Sequence, residues 1–178
     1  MLSAERVRLA PLTSNDLPLL FAWINDRDQV LFNAGYAPVH ELSHASWFEA
    51  LQQRKDCIIF GIRRIDDDAL IGSCQLLNIN PRHQNAELQI RLGDVESRGQ
   101  GLGSEALRLL LRFGFRDVNL HRIYLHVFAD NERARRLYEK AGMREEGLLR
   151  EAAFIDGRFV DLRVMAMLRS EASLGGSG

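Results

Sequence analysis

The sequence predicts an α/β domain built on one mixed, mostly antiparallel sheet of about seven strands. Three observations predict it. The chain has 178 residues, which suits one domain with a sizeable core. Segments of two-residue apolar period are mixed with segments of helical period. One strand runs through a glycine-rich loop straight into an apolar-striped helix, which calls for a parallel crossover inside an antiparallel meander.

RVRLAPL (residues 6–12) alternates and reads as the first strand. Thr13 or Ser14 then caps a helix striped by Leu17, Leu20, Phe21 and Ile24. Residues 26–38 are irregular, with aromatics and a glycine. A second helix covers residues 43–53, with Trp47, Ala50 and Leu51 on one face. CIIFGIRR (57–64) is a strand, Asp66, Asp67 and Asp68 a hairpin tip, and ALIGSCQLLNI (69–79) the returning strand. AELQIRL (86–92) leads into the glycine loop. Leu107, Leu110, Leu111, Gly114, Phe115 and Val118 then recur at helical steps. HRIYLHVF (121–128) is a strand, and residues 131–142 form a helix capped by Asn131 and closed by Gly142. Two strands around Asp156-Gly157 close the chain as a hairpin. The domain spans residues 1–169, and 170–178 read as a flexible tail.

Composition narrows the function. With 46% apolar and 26% charged residues, the chain has an ordinary globular make-up. A net charge of −1 gives no global electrostatic case for nucleic acid or an acidic membrane as partner. No apolar run approaches a membrane span, and MLSAERVRLAP lacks a signal-peptide core, so the cytoplasm is the expected location. Cys57 and Cys74 lack Cys-x-x-Cys spacing and read as small buried hydrophobes in a reducing compartment. The three aspartates have no accompanying ligands, and His40, His44, His83, His121 and His126 form no metal set, so no metal is expected.

The loop Arg98-Gly99-Gln100-Gly101-Leu102-Gly103, with Ser104 behind it, carries the chemistry. A helix N-terminus has unpaired N–H groups and partial positive charge, and glycines let an anion come close. Arg98 adds a full charge. No lysine follows, which excludes a P-loop. The G-x-G-x-G spacing and the missing acidic partner speak against a dinucleotide fingerprint.

Arg98, Gly101 and Gly103 match an Arg/Gln-x-x-Gly-x-Gly/Ala pattern in register. About thirty residues on, Asn131, Tyr138, Gly142 and Met143 fall in NERARRLYEKAGM, with the asparagine and tyrosine two helical turns apart. Together these segments resemble the two cofactor-binding segments of the GNAT N-acetyltransferase superfamily. The resemblance covers residues 7–167. It is nearest to the branch with ribosomal-protein N-terminal and spermidine/spermine acetyltransferases. It implies a sheet with helices on both faces, acetyl-CoA as cofactor, and direct acetyl transfer to an amine without a covalent acyl-enzyme.

What the resemblance implies for residues is specific. The loop from Arg98 to Ser104 would hold the CoA pyrophosphate. The strand at Ile90, Arg91 and Leu92 would offer main-chain groups to the pantetheine arm and the thioester oxygen. Asn131 would belong to the second cofactor segment. Arg135 or Arg136 would either meet CoA phosphates or be solvated. Tyr138 is the candidate general acid, against an ordinary core-packing tyrosine. Glu87 is the candidate base or the end of a water chain to it, against a surface ion pair with Arg91 or an arginine of a neighbouring strand. The acceptor side would draw on Trp23, Asn25, Asp26, Asp28, Phe32, Asn33, Tyr36, Trp47, Phe154 and Phe159, a mixture suited to a cationic amine. Glu87 would also face the acceptor. Asn78 and Asn80 stand near where polyamine-acetylating relatives carry an acid. The expected acceptor is a small-molecule amine: a polyamine, amino sugar or aminoglycoside. A protein N-terminus stands second, and a non-catalytic CoA-binding module is the reading from another class. A homodimer is expected by the same resemblance.

Overall fold

The structure, a computed structural model, describes residues 2–172. Eight strands form one sheet in the order β1-β2-β3-β4-β5-β6-β8-β7. In chain order the elements are β1 (Leu2–Ser3), β2 (Val7–Ala10), α1 (Leu17–Asn25), α2 (Arg27–Val30), α3 (Glu41–Ala50), β3 (Ile58–Arg64), β4 (Leu70–Asn80), β5 (Asn85–Leu92), α4 (Leu102–Arg116), β6 (Arg122–Phe128), α5 (Glu132–Lys140), β7 (Arg144–Ile155) and β8 (Arg158–Leu168).

Every pairing is antiparallel except β5 with β6, the pair joined through α4. A parallel return needs a crossover, and α4 supplies it. Its inner face presents Leu102, Ala106, Leu107, Leu110 and Phe115, all at most 3% exposed, to the sheet. Val7, Ile62, Leu76, Ala86, Leu88 and Ile123 meet them from five strands. α1 lies on the opposite face, where the Trp23 indole covers Gly93 so closely that a Cβ there would sit 1.9 Å from the ring.

The structure adds one strand to the expected seven. β1 has two residues, pairing Leu2 with Leu9 and Ser3 with Arg8, too short to show an alternation. Segment 26–38 contains a one-turn helix, α2, capped by the Asp26 carboxylate. The second helix begins at Glu41 rather than residue 43, and its buried residue is His44; Ala50, expected on the inner face, is exposed. His44 stacks on Trp47 at 5.2 Å and meets the Phe21 ring, so aromatic packing against α1 overrides the aliphatic pattern. Asp156 and Gly157 both take positive φ, as a tight hairpin turn with the strands' twist requires. Arg169–Glu171 form a 3-10 turn at the expected start of the tail, and residues 173–178 of that tail lie outside the described residues. Among the described residues no helix is long and apolar enough to cross a membrane, and no cluster of metal ligands occurs. Both cysteines are free thiols, with Cys74 buried.

Two buried carboxylates tie distant segments together. Asp16 accepts from the Thr13 backbone N–H and hydroxyl and pairs with Arg63 at 2.5 Å. Glu105, in the first turn of α4, accepts from the Arg6 backbone N–H at 3.0 Å and its guanidinium at 2.7 Å. Burial alone would raise both pKa values. Hydrogen bonds and the arginine charges outweigh it, so both sit below the ordinary carboxylate range. A depressed folded pKa contributes stability above the unfolded value of about 4, lost as pH falls through the folded value. The urea midpoint should therefore drop progressively below about pH 4. Glu105→Gln should make that acid slope shallower, and an unchanged slope would show that the Arg6–Glu105 pair contributes nothing to it.

Candidate active site

β5 and β6 pair over three positions: Asn85 with Arg122, Ala86 with Ile123, and Glu87 with Tyr124. Beyond Glu87 they part. β4 keeps β5 in register as far as Leu92, and β8 keeps β6 as far as Phe128. Each strand follows its own antiparallel partner, and the sheet opens between them. The opening is a cleft of about 730 Å3. Leu88 to Arg91 form one wall and His126 to Phe128 the other. On this side β5 has no ladder partner past Glu87, so main-chain groups of the 88–92 stretch face the gap. That suits an extended ligand arm laid along the strand.

The glycine loop stands at the end of β5. Gly99 and Gly101 take φ of +80° and +84°, a region that disfavours side chains. The backbone amides from Gly99 to Gly103 hydrogen-bond no other described residue. They surround the N-terminus of α4, where the helix dipole adds partial positive charge. Several free amides, a dipole and room at two left-handed glycines fit a pyrophosphate.

The side chains of the loop have another task. Arg98 donates to the Leu92 carbonyl at 2.9 Å and to Gln29 at 2.6 Å, pinning the loop to β5 and α2. Gln100 closes its own turn on the Glu96 carbonyl at 2.6 Å. Arg6 reaches from before β2 to the Gln100 carbonyl at 2.9 Å. Ser104 begins the helical ladder, its N–H on the Gly101 carbonyl. Arg135 is held between Glu132 and Glu139 at 2.7 and 2.6 Å. The α5 arginine that approaches the loop is Arg133, whose guanidinium lies 4.0 Å from a Cβ placed on Gly99. Sequence does not single out Arg133, because helical spacing alone does not say which of three neighbouring arginines turns toward the loop.

Tyr138 and Glu87 both line the cleft. Asn131 caps α5, accepting from the Ala134 N–H at 3.1 Å, and its amide donates to the Phe32 carbonyl at 3.4 Å. Two turns on, Tyr138 is 8% exposed and lines the cleft. Burial pushes its phenol up to about 12, so it holds its proton at neutral pH. Glu87 pairs with His126 Nδ1 at 3.2 Å and accepts from the Asn78 amide at 3.3 Å. An acid at position 78 would face this carboxylate. His126 is a site residue that the sequence does not distinguish from the other histidines. Its one signal is an outward phase on a strand beside Glu87's.

Of the acceptor residues expected from sequence, Trp23, Phe32, Asn33 and Trp47 line the cleft. Asp26 does not, because its carboxylate is turned to Gln29, accepting from its N–H at 3.2 Å and its side-chain amide at 2.7 Å. Tyr36 also lies outside the lining, half-exposed on the loop before α3. Asn25 staples that loop instead, exchanging hydrogen bonds of 2.9 and 3.0 Å with the Val39 backbone. Phe154 and Phe159 form an exposed edge-on pair at the hairpin end, outside the cleft. His44 lines the cleft, and burial lowers its pKa, which favours the neutral ring.

Residues 6–144 match the family model of the acetyltransferase (GNAT) domain. The chain belongs to the GNAT acetyltransferase family. It is 32% identical to the spermidine N(1)-acetyltransferase of Escherichia coli K12 over 161 residues, 89% of this chain and 84% of that one. It is 42% identical to the Vibrio cholerae spermidine N(1)-acetyltransferase over 102 residues, spanning 57% of this chain and 58% of the relative. Among solved structures, the Vibrio cholerae spermidine N-acetyltransferase in complex with CoA and spermine superposes with a TM-score of 0.84. That match has 31% identity and covers 93% of this chain and 96% of the other. Acetyl-CoA is the acyl donor of this GNAT chain, and the free loop amides agree with that donor's pyrophosphate.

Gly101→Glu tests the cradle. A side chain there is strained at φ +84° and its carboxylate would repel phosphate. Calorimetry should show acetyl-CoA binding lost in a folded variant, and an unchanged affinity would remove the loop from the cofactor site.

Proposed function

We propose that this protein transfers an acetyl group from acetyl-CoA to the primary amine of a small molecule. The observation that carries the reading is the placement of Tyr138 and the Glu87–His126 pair around one cleft, where β5 and β6 part beside the amide cradle. Acetyl-CoA supplies the acyl group as a thioester. The residues handle protons and charge. An alkyl ammonium has a pKa of roughly 10, so it needs a proton acceptor near neutral pH. Glu87, alone or through His126, receives that proton directly or by water. Tyr138 holds a proton at its hydroxyl, available to a departing thiolate. A main-chain N–H at Ile90 to Leu92, beyond the end of the β5–β6 pairing, would donate to a developing oxyanion. The relatives named for spermidine support an aliphatic amine as acceptor.

The natural assay follows thiol release from acetyl-CoA with polyamines, amino sugars, aminoglycosides and short peptides as acceptors. Release that depends on a small-molecule amine is the expected result, whereas release with free peptide N-termini alone would overturn the acceptor class. Tyr138→Phe should keep acetyl-CoA affinity and lower kcat by roughly a hundredfold, the usual weight of a positioned proton donor. Full turnover in that variant would leave Tyr138 a packing residue.

A homodimer belongs to the same reading. β7 is a sheet edge of twelve residues, exposed along nearly its whole length, with Leu148 and Leu149 both more than 40% exposed. Light scattering at micromolar concentration should give twice the chain mass of 20.2 kDa. A mass of one chain would exclude the dimer. The cytoplasm remains the proposed location.

A further inference from the structure

Among the described residues, each half-buried arginine hydrogen-bonds a protein group, with one exception. Arg8, Arg63, Arg64 and Arg122 hold carboxylates, and so do Arg135 and Arg163. Arg98 and Arg169 hold backbone carbonyls. Arg91 is partly buried and hydrogen-bonds no described residue. Burial pushes its guanidinium down from its ordinary value. It stays a cation, since arginine does not deprotonate in proteins. No side-chain nitrogen among the described residues is both sealed from solvent and unpaired, so the Arg91 guanidinium is open to an anion entering the cleft.

Its direction identifies the region it serves. On β5 the side chains of Ala86 and Leu88 join the core under α4, and the Leu92 side chain comes within 3.4 Å of a Cβ on Gly103, at the start of that helix. Glu87, Gln89 and Arg91 alternate to the other face, with Gly93 under Trp23. Gln89 confirms the phase, accepting from Gln75 on β4 at 2.8 Å. Arg91 therefore points away from the amide cradle and into the acceptor side, beside Ser73 and Trp23. Glu87 and Arg91 are the cleft's acidic and basic side chains of fixed charge. They lie four residues apart on one strand face, about 13 Å along it.

We propose that the acceptor is an amine that also carries an anionic group, carboxylate or phosphate, with Glu87 receiving the amine and Arg91 the anion. The proposal rests on the N-acetyltransferase reading and narrows its substrate class. A purely cationic chain would place charge against Arg91, whereas a bipolar molecule satisfies both ends. Arginine presents a planar fork matched to either oxyanion.

The test compares ω-amino acids and ω-aminoalkyl phosphates of graded length with diamines of the same length. Thiol release gives kcat/KM, and calorimetry gives binding of each amine to the CoA-loaded protein. The anionic amines should lead by roughly tenfold or more, the weight of a hydrogen bond to a charged group. The better of the two anion series identifies which oxyanion the site takes. Arg91→Glu should reverse the order, and Arg91→Lys should keep it at reduced size. Diamines preferred by the unmodified protein, in turnover or binding, would overturn the proposal while leaving the acetyltransferase reading intact. The proposal also falls if Arg91→Glu weakens acetyl-CoA binding and leaves acceptor preference unmoved. Failure of acetyl-CoA to bind at all would remove the acetyltransferase reading and this proposal with it.

Discussion

The three-position parallel pairing of β5 with β6 is the constraint on which the site depends. It is the one parallel contact among the described residues, and α4 must cross to make it. It holds Glu87 beside Tyr124 and then stops. Were it longer, the main chain of β5 would be consumed by β6 and no arm could lie along it. Were it absent, β6 and α5 would lose their register, and Tyr138 and His126 would no longer face Glu87. The antiparallel neighbours on both sides enforce this length, because twist accumulates while each strand follows its own partner.

A second layer of order comes from arginines acting as struts. Arg6 joins the N-terminal strand region to the glycine loop and the first turn of α4 through Gln100 and Glu105. Arg98 joins that loop to β5 and α2. Arg27 reaches Asp156 at the tip of the last hairpin with a 2.5 Å contact. The proposed cradle for an anion is thus made of backbone, and the charged side chains around it hold its shape. A loop carried by flexible side chains would cost more ordering entropy on binding. Amides held in place beforehand cost less.

The fold was largely readable because it rests on periodicity. The long strands and α4 showed themselves through alternation or a three-to-four step, and Asp156-Gly157 announced its turn. The elements that escaped were short or unpatterned: β1 has two residues and α2 one turn. α3 is legible as a helix, but its inner face is not, since that face is built on His44 stacked with aromatics rather than on aliphatic residues.

The sequence by itself determined the family, the glycine cradle and the pair of positions, Asn131 and Tyr138, two turns apart on one helix. These are local spacings, and local spacing survives in one dimension. Tertiary structure alone decided which charges remain free. Arg98 and Arg135 looked available for phosphate, yet one holds a carbonyl and the other two carboxylates. Asp26 looked available for an amine, yet it caps α2. Arg91, expected to offer its main chain or to pair with Glu87, instead keeps a guanidinium in the cleft that hydrogen-bonds no described residue, while Glu87 pairs with His126. A side chain's availability is what remains after its neighbours are paired, and those neighbours come from segments far apart in the chain.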